Sequence, residues 1–260
     1  MNSPNTISII PARMASTRFP GKPMKEILGM PMIQHVFHRA QLISNSQEVC
    51  VATCDEIIYE LINDLGGLAV MTSSTHQRAT DRTAEALIRI KEIHKKEFDI
   101  VAMIQGDEPM FNPDEVALGI SEMQNNPDNN IVNLMNKATS LEQLMDPNNV
   151  KVVVDQANDA LYFSREPIPS NWKKNYSGDG LIQTGLIIFK VSYLNKYLDM
   201  KVSPLEETES CDMLRVLENG EKVRMLEVPT RSIGVDVEQD LEEAEELLKK
   251  DHFVSNYQSL

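Results

Sequence analysis

Three basic residues, Arg13, Arg18 and Lys22, lie in one short segment directly after the apolar run at positions 7–10. The same segment carries the hydroxyl residue Ser16. Arginine binds phosphate through two parallel hydrogen bonds, and lysine adds a point charge. Open α/β sheets bind ligands at the carboxyl ends of their strands, where this segment would lie. The pattern therefore predicts a loop that binds a polyphosphate, and the alternative is a solvated basic loop.

Two carboxylates are candidate metal ligands beside this loop. Asp107 follows the apolar run 100–104, which places it at the carboxyl end of a predicted strand, and Asp236 lies between a predicted strand and the final helix. A carboxylate that faces a polyphosphate repels it unless a divalent cation lies between them, and one or two carboxylates plus phosphate oxygens commonly hold Mg²⁺. We therefore predict a Mg²⁺ site at Asp107 and Asp236. The alternatives are a cap or turn role for Asp107 and an N-cap role for Asp236.

A third segment, residues 72–82, follows a predicted strand and opens a predicted helix. Its backbone N–H groups are candidates for contact with a base or a phosphate. Arg82 falls in the first helical turn, where the helix dipole favours acidic residues. This placement favours a role for Arg82 in ligand binding.

Short apolar runs alternate with amphipathic segments through the first half of the chain. The predicted strands are residues 7–10, 48–53, 68–71 and 100–104, and the predicted helices are residues 32–42, 55–65 and 81–94. Asp55 is a suitable N-cap for the second of these helices. The alternation predicts an α/β, Rossmann-like fold, in which helices flank a mostly parallel sheet.

The middle of the chain has a different pattern. Residues 150–154 and 160–164 flank a turn and predict an antiparallel hairpin, which precedes a strand at 181–190. Because no linker-like composition marks a boundary, we predict a single domain, 1–260, that contains an insertion at approximately 130–230. After it, the pattern predicts a strand at 222–228, a helix at 237–250 and frayed residues from His252 onwards.

Composition excludes several classes of protein. The 25 Lys+Arg and 39 Asp+Glu residues give a formal net charge of −14, which argues against nucleic acid as a partner. The three cysteines show no ligand-like spacing, so neither a disulfide framework nor a zinc site is predicted. No signal peptide or membrane span is predicted either, which favours a cytoplasmic protein without a membrane partner.

The motifs resemble those of the CMP-sugar synthetases, and most closely those of the 3-deoxy-manno-octulosonate cytidylyltransferases (CMP-Kdo synthetases). The resemblance extends over nearly the whole chain. It is most specific in the opening from Pro11 to Pro23 and in Gln105-Gly106-Asp107-Glu108-Pro109. Further matching segments are residues 32–36, 51–53, 80–82, 162–165, 203–206, 214–215 and 234–236.

This resemblance implies that an anomeric hydroxyl of an acidic sugar attacks the α-phosphorus of CTP and releases pyrophosphate. It also implies Mg²⁺ as cofactor, a homodimer and a role in lipopolysaccharide biosynthesis. The implied nucleotide-binding residues are Pro11, Ala12, Arg13, Ser16, Arg18, Lys22, Thr80, Arg82, Gln105 and Asp107. The implied acceptor-binding residues are Gln105, Arg165, Gln183, Glu209, Met213 and Asp236. Arg13, Lys22, Asp107 and Asp236 are the implied catalytic set, and the last two are the implied metal ligands.

Within this set, the resemblance implies that Arg165 pairs with the carboxylate of the sugar and that Glu209 binds its hydroxyls. The chain departs from the family pattern mainly on the acceptor side. Gln183 stands where the family usually has His, and Met213 where it usually has Gln. On the nucleotide side, Arg78-Ala79 replaces the usual Ser-Gly.

A site built for one substrate discriminates against another that lacks the matching groups. One hypothesis is therefore an acceptor other than Kdo, such as a modified 3-deoxy-ulosonate, another acidic sugar or a small phosphonate. The second is neutral drift around an unchanged Kdo site. A hypothesis from a different class is a catalytically silent protein that binds nucleotide sugars.

Overall fold

The computed structural model describes residues 4–15, 19–170, 172, 180–230 and 234–257. The chain forms two compact units. The first comprises Met1–Ala117 with Ser232–Leu260, and the second comprises Leu118–Arg231. The predicted insertion at 130–230 falls within the second unit, and its roles in acceptor binding and dimerisation stay predictions.

Strands and helices alternate along most of the described chain. The strands are β1 (Thr6–Ala12), β2 (Glu26–Ile27), β3 (Met30–Pro31), β4 (Glu48–Thr53), β5 (Leu68–Met71), β6 (Ile100–Ile104), β7 (Ile131–Lys137), β8 (Lys151–Val154), β9 (Ala160–Ser164), β10 (Leu181–Lys190) and β11 (Arg224–Glu227). The α-helices are α1 (Met32–Ala40), α2 (Glu56–Asp64), α3 (Ala79–His94), α4 (Pro113–Asn125), α5 (Leu141–Met145), α6 (Val191–Leu198), α7 (Pro204–Glu209), α8 (Asp212–Glu218) and α9 (Glu238–Leu248).

A parallel sheet forms the centre of the first unit. Strand β1 pairs with β4 on one side and with β6 on the other, and β4 pairs with β5, all in parallel. All residues of β1 and of β6 are buried, as expected for parallel strands covered on both faces. The predicted strands and the parallel arrangement are confirmed here.

The register of this sheet brings the ends of three strands to one edge. Ala12 pairs with Thr53, and Ile9 pairs with Met103 one residue before the end of β6. A Cβ atom on Gly106 would lie 3.0 Å from the Pro11 carbonyl oxygen. The loop after β6 therefore passes so close to the end of β1 that a larger residue at this position would force the neighbouring backbone to shift by a few tenths of an ångström.

The second unit contains a mixed sheet. Strand β10 pairs antiparallel with β7 and with β8, β8 pairs antiparallel with β9, and β11 pairs parallel with β7. The predicted hairpin is thus confirmed as β8 and β9. Its turn includes Asn158 at φ +63°, a left-handed conformation that asparagine tolerates.

Residues 252–257 pack against α1, so the predicted fraying is wrong for this part of the C-terminal segment. The Tyr257 ring stacks on His38 at 5.5 Å, and its hydroxyl lies 3.1 Å from His35 Nδ1. One residue before the segment, Asp251 accepts a hydrogen bond from the buried Arg39 at 3.0 Å. Among the described residues, no helix combines the length and the apolar character that a membrane crossing requires.

Candidate functional site

The basic loop after β1 is closed by its own backbone and by a carboxylate. Gly21 N–H donates to the Met14 carbonyl at 3.1 Å, with Gly21 in the left-handed region at φ +72°. Met14 N–H donates to Asp55 Oδ2 at 2.8 Å. The predicted N-cap function of the Asp55 side chain is therefore wrong: the residue lies at the N-cap position of α2, but its side chain makes no cap hydrogen bond. It holds the loop instead.

Lys22 and two carboxylates meet beside this loop. Lys22 Nζ lies 2.7 Å from Asp107 Oδ2 and 3.4 Å from Asp236 Oδ1. The Val235 N–H donates to the Asp107 carbonyl at 2.9 Å, which ties the two acidic loops together. The Lys22 side chain is only 10% exposed, whereas the two carboxylates are about a quarter exposed, at 26% and 28%. The structure thus gathers three predicted catalytic residues around one point that solvent and ligands can reach.

The alternative roles of the two aspartates are less consistent with this geometry. The Asp107 carboxylate accepts from Lys22. The backbone N–H groups of Asp236 and Val237, at the start of α9, both donate to Asp240 Oδ2, at 2.7 and 2.9 Å. Asp240 thus binds the N–H groups at the start of α9, and the Asp236 carboxylate is directed to Lys22.

The donor set fits a magnesium ion that binds together with a phosphorylated ligand. Asp107 and Asp236 already converge on one cation, the Lys22 ammonium. In the described part of the chain, no group of three or more His, Cys, Asp or Glu side chains is arranged to hold a metal. Magnesium is usually bound by one or two carboxylates and completed by phosphate oxygens and water. The metal role of the two aspartates stays a prediction.

Arg13 is held at the same edge by the loop that precedes α3. Its Nη1 donates to the His76 carbonyl at 3.2 Å. The loop itself is fixed by Glu85, which accepts from Ser73 N–H at 2.8 Å and lies 2.5 Å from His76 Nε2. Partial burial opposes ionisation of Glu85, but the hydrogen bonds from Ser73, His76 and Arg89 lower its pKa. Glu85 is therefore an anionic anchor for the segment that positions Arg13.

The buried Arg82 guanidinium has one nitrogen, Nη2, without a hydrogen-bond partner among the described residues. Its side chain is 2% exposed, and Nη1 donates to Thr72 Oγ1 at 2.5 Å and to the Ser73 carbonyl at 3.2 Å. Within the described ranges, Nη2 finds no hydrogen-bond partner. A buried donor without a partner costs about 1–3 kcal/mol. This cost supports the prediction that a ligand completes the site of Arg82.

The other predicted nucleotide residues differ in what their side chains can offer. Pro11 and Ala12 are the last two residues of β1 and are buried. Thr80 is also fully buried and lies 3.9 Å from Met103 Sδ, which places its side chain against the sheet. Gln105, directly after β6, is half-buried. Ser16 and Arg18 lie outside the described residues.

The second unit gathers predicted acceptor residues around Glu209, the last residue of α7. The Glu209 carboxylate accepts from Arg165 N–H at 2.7 Å, from Ser164 Oγ at 2.9 Å and from Tyr162 OH at 3.3 Å. Burial and the nearby Glu209 charge raise the pKa of Tyr162, so its hydroxyl remains a donor. Tyr162 and Ser164 were not among the predicted residues. Tyr162 and Ser164 are two residues apart in β9, and this spacing is the signal that indicates a shared face.

The Arg165 guanidinium is largely engaged by backbone. Nε donates to the Glu209 carbonyl at 2.7 Å, Nη1 to the Pro147 carbonyl at 2.8 Å and Nη2 to the Ser210 carbonyl at 3.3 Å. An arginine has five N–H groups. Counted over the described chain, two of them are left for the predicted pairing with an acidic ligand.

Lys151 holds the backbone beside Arg165 and Glu209 in place. Its side chain is fully buried, and Nζ donates to the Arg165, Asp146 and Asn149 carbonyls. Burial lowers the pKa of Lys151. The ammonium joins the backbone before β8 to the backbone after β9, and this fixes the position of the Arg165 backbone.

A buried ion pair joins the two helices that frame Glu209. Arg215 Nε and Nη2 donate to the two Glu206 carboxylate oxygens, each at 2.6 Å. The two side chains are 4% and 0% exposed, and the Arg215 guanidinium lies 4.4 Å from the centre of the Tyr197 ring. This bidentate pair holds α7 against α8 and so fixes the short turn between them.

Gln183 and Met213 have different surroundings. Gln183 Nε2 donates to Asn133 Oδ1 at 2.7 Å, and Cys211 Sγ lies 3.4 Å from Gln183 Oε1. Met213 is fully buried on α8, so its contact with an acceptor stays a prediction. Asn133 and Cys211 were missed by sequence reasoning. An asparagine inside the largely apolar strand β7 is the signal that marks a buried polar contact there.

The chain is similar to known cytidylyltransferases over most of its length. The family described as Cytidylyltransferase matches residues 7–223. The 3-deoxy-manno-octulosonate cytidylyltransferase of Geobacter metallireducens is 40% identical over 253 residues, which cover 94% of this chain and 97% of that protein. The protein of the same name from Fusobacterium nucleatum is 39% identical, and the match covers 95% of this chain and 98% of that protein.

Solved structures give the same result for the fold. CMP:2-keto-3-deoxy-manno-octonic acid synthetase, solved with CTP, has a TM-score of 0.85 at 36% identity, and the match covers 95% of this chain and 99% of that chain. A 4-diphosphocytidyl-2C-methyl-D-erythritol synthase from Anaerococcus prevotii has a TM-score of 0.61 at 16% identity over 95% of this chain and shares the fold alone. The predicted Rossmann-like α/β fold class is thereby confirmed.

Proposed function

The chain belongs to the cytidylyltransferase family, and on this premise we propose that it transfers the cytidylyl group of CTP to an acidic sugar of the 3-deoxy-ulosonate class. Kdo is the first candidate acceptor, because relatives of nearly the same length are 3-deoxy-manno-octulosonate cytidylyltransferases. The observation that carries the proposal is the meeting of Lys22, Asp107 and Asp236 at the edge of the parallel sheet.

In the proposed reaction, the anomeric oxygen of the acceptor forms a bond to the α-phosphorus of CTP. The bond from that phosphorus to the bridging oxygen breaks, and pyrophosphate leaves with the electron pair. The hydroxyl proton is released to solvent. The products are a CMP-sugar and pyrophosphate, and the protein acts mainly by positioning the reactants and neutralising charge.

The residues of the first unit provide the nucleotide and metal contacts. Arg13 and Lys22 would bind the triphosphate oxygens, and Arg82 would use its buried Nη2 on the nucleotide. Asp107 and Asp236 would hold Mg²⁺, which when bound neutralises phosphate charge and favours deprotonation of the attacking hydroxyl. The anchors Asp55 and Glu85 hold the two loops in place before any ligand binds.

The residues of the second unit provide the acceptor contacts. Glu209 can accept hydrogen bonds from sugar hydroxyls, and Arg165 keeps two N–H groups for a carboxylate. A charge-assisted hydrogen bond of this kind is roughly twice as strong as a neutral one. An acceptor that carries both hydroxyls and a carboxylate matches this pair of residues.

The test is release of pyrophosphate from CTP and Mg²⁺ with a panel of acceptors: Kdo, its amino and deoxy variants, and a small phosphonate. We expect turnover with a 3-deoxy-ulosonate on the order of 10 per second, a typical enzyme rate. Asp107→Asn should lower it by at least about 100-fold, because the variant loses one of the two metal carboxylates. Glu92→Gln, an exposed change on α3, is the matched control and should leave it unchanged. The proposal would be refuted if the phosphonate were the only acceptor that gave turnover, or if none of the acceptors gave turnover.

A further inference from the structure

The side-chain amide of Asn133 has a fixed orientation. Its Nδ2 lies 3.1–3.2 Å from three backbone carbonyl oxygens, those of Leu134, Thr184 and Leu186. Carbonyl oxygens only accept hydrogen bonds, so the NH₂ group must face them and the amide oxygen must face away. Asn133 is fully buried, which makes the opposite orientation costly.

This orientation determines that of Gln183. Because Asn133 Oδ1 can only accept, the Gln183 atom 2.7 Å from it must be the nitrogen Nε2. The Gln183 oxygen Oε1 then faces Cys211 Sγ at 3.4 Å, a normal distance for a thiol that donates to oxygen. Burial raises the pKa of the Cys211 thiol to about 12, so it keeps its proton and remains a donor at neutral pH.

The chain from Asn133 to Cys211 is continuous with the Glu209 cluster. Cys211 contacts Gln183 through its thiol, while the backbone carbonyls of the two preceding residues accept hydrogen bonds from Arg165. The segment 209–211 therefore joins Gln183 to the residues proposed to bind the acceptor. Among the described residues, Gln183 has one N–H and one oxygen lone pair left after these two contacts.

We propose that Asn133 and Cys211 are positioning residues that hold the Gln183 amide in one orientation, so that Gln183 selects an acceptor with an uncharged hydroxyl at this point. The inference rests on the proposed function and extends it to the class of group that is recognised. A hydroxyl can accept from the fixed N–H and donate to the fixed oxygen. An ammonium group can only donate and a carboxylate can only accept, so each would leave one half of the amide without a partner.

Kinetics of two cysteine variants test the inference. Cys211→Ser keeps a donor to Gln183 Oε1, and Cys211→Ala removes it. We expect the alanine variant to raise the KM for the acceptor by about 3- to 10-fold, the range for loss of one hydrogen bond, with the KM for CTP unchanged. Preference for a hydroxyl-bearing acceptor over its amino-substituted analogue should fall by a similar factor. The serine variant should retain both properties of the wild type. Equal losses for the two acceptors would indicate a merely structural role and would overturn the inference.

A measurement on the free protein separates this inference from the proposed function. The side-chain NH₂ signals of ¹⁵N-glutamine-labelled protein can be assigned to Gln183 by their loss in Gln183→Leu. In the wild type and in Cys211→Ser, we expect slow hydrogen exchange of the Gln183 amide, and in Cys211→Ala an increase of about tenfold. Equal exchange in all three proteins would refute the fixed orientation. Failure of the proposed function would instead appear as no pyrophosphate release with any acceptor.

Discussion

Replacing Arg215 by methionine is expected to destabilise the protein by about 3–5 kcal/mol, because it leaves the Glu206 carboxylate buried without its cation. The magnitude follows from the geometry. Both hydrogen bonds of the pair are 2.6 Å long, and Glu206 is fully buried, so water cannot replace the lost donors. A loss of this size is a large fraction of the 5–15 kcal/mol that typically stabilises a folded protein. Urea unfolding followed by far-ultraviolet circular dichroism, with matched buffers at pH 7.5, measures it.

Two control variants separate the cost of an unpaired buried charge from the general effect of a lysine- or arginine-to-methionine change. Lys249 contacts Glu245 and Glu246 on the exposed face of α9, and Lys249→Met should change stability by no more than about 0.5 kcal/mol. The double variant Glu206→Leu/Arg215→Met removes both charges and should be more stable than Arg215→Met alone. A free energy of unfolding for Arg215→Met within about 1 kcal/mol of the wild type, or a double variant no more stable than the single one, would contradict a large cost of the unpaired buried carboxylate.

Two further predictions concern the first unit. Asp55→Ala should raise the KM for CTP by about tenfold, the effect of one lost hydrogen bond, because Met14 N–H loses its acceptor. In Asp55→Asn the amide oxygen still accepts, so the KM for CTP should stay near that of the wild type. Equal effects of the two variants on this KM would contradict a positioning role for Asp55. Burial lowers the pKa of His35, so below about pH 6.5 the unfolded chain binds a proton that the folded protein does not, and stability is lost as the pH falls through this range. His35→Gln should show a smaller loss in urea midpoint between pH 7.5 and 5.5, and an unchanged loss would exclude His35 as the cause.

The parallel sheet could be predicted because its strands are short, apolar and buried on both faces. Such runs have few alternative structures once amphipathic helices separate them. Since parallel strands end at the same edge, the positions of Arg13 just after β1 and of Asp107 in the loop after β6 were sufficient to predict that both residues lie at that edge. Asp107 and Asp236 are more than a hundred residues apart along the chain, but both belong to the first unit and both contact Lys22.

Asp55 shows why local rules were not sufficient at the edge of the sheet. An aspartate before a helix is a suitable N-cap by sequence, and the residue does occupy that position. Its carboxylate nevertheless binds Met14 N–H, a group 41 residues away in sequence. Only the register between β1 and β4 reveals this competing donor. Tyr257 is a second example of a contact that local sequence does not reveal, because its partner His35 lies 222 residues earlier in the chain.

Arg165 shows a different limit, since its predicted pairing with an acidic ligand depends on which of its donors are already bound by the protein. A sequence motif records that an arginine is present, but it does not record how many of its five N–H groups the surrounding backbone already binds. The carbonyls of Pro147, Glu209 and Ser210 take three of them. A proposal for acceptor binding must therefore rest on the remaining two and on the neighbouring Glu209 and Gln183.

The charges around Lys22 give a physical reason for coupling between nucleotide and metal. One ammonium faces the carboxylates of Asp107 and Asp236, so this group carries a net negative charge and repels a free triphosphate. In the proposed function, a divalent cation at the carboxylates would reverse the sign of the charge on this group and leave Lys22 to phosphate oxygens. Each ligand would then remove the repulsion that opposes the other, so we expect their binding to be mutually favourable, with a coupling that is reciprocal by linkage.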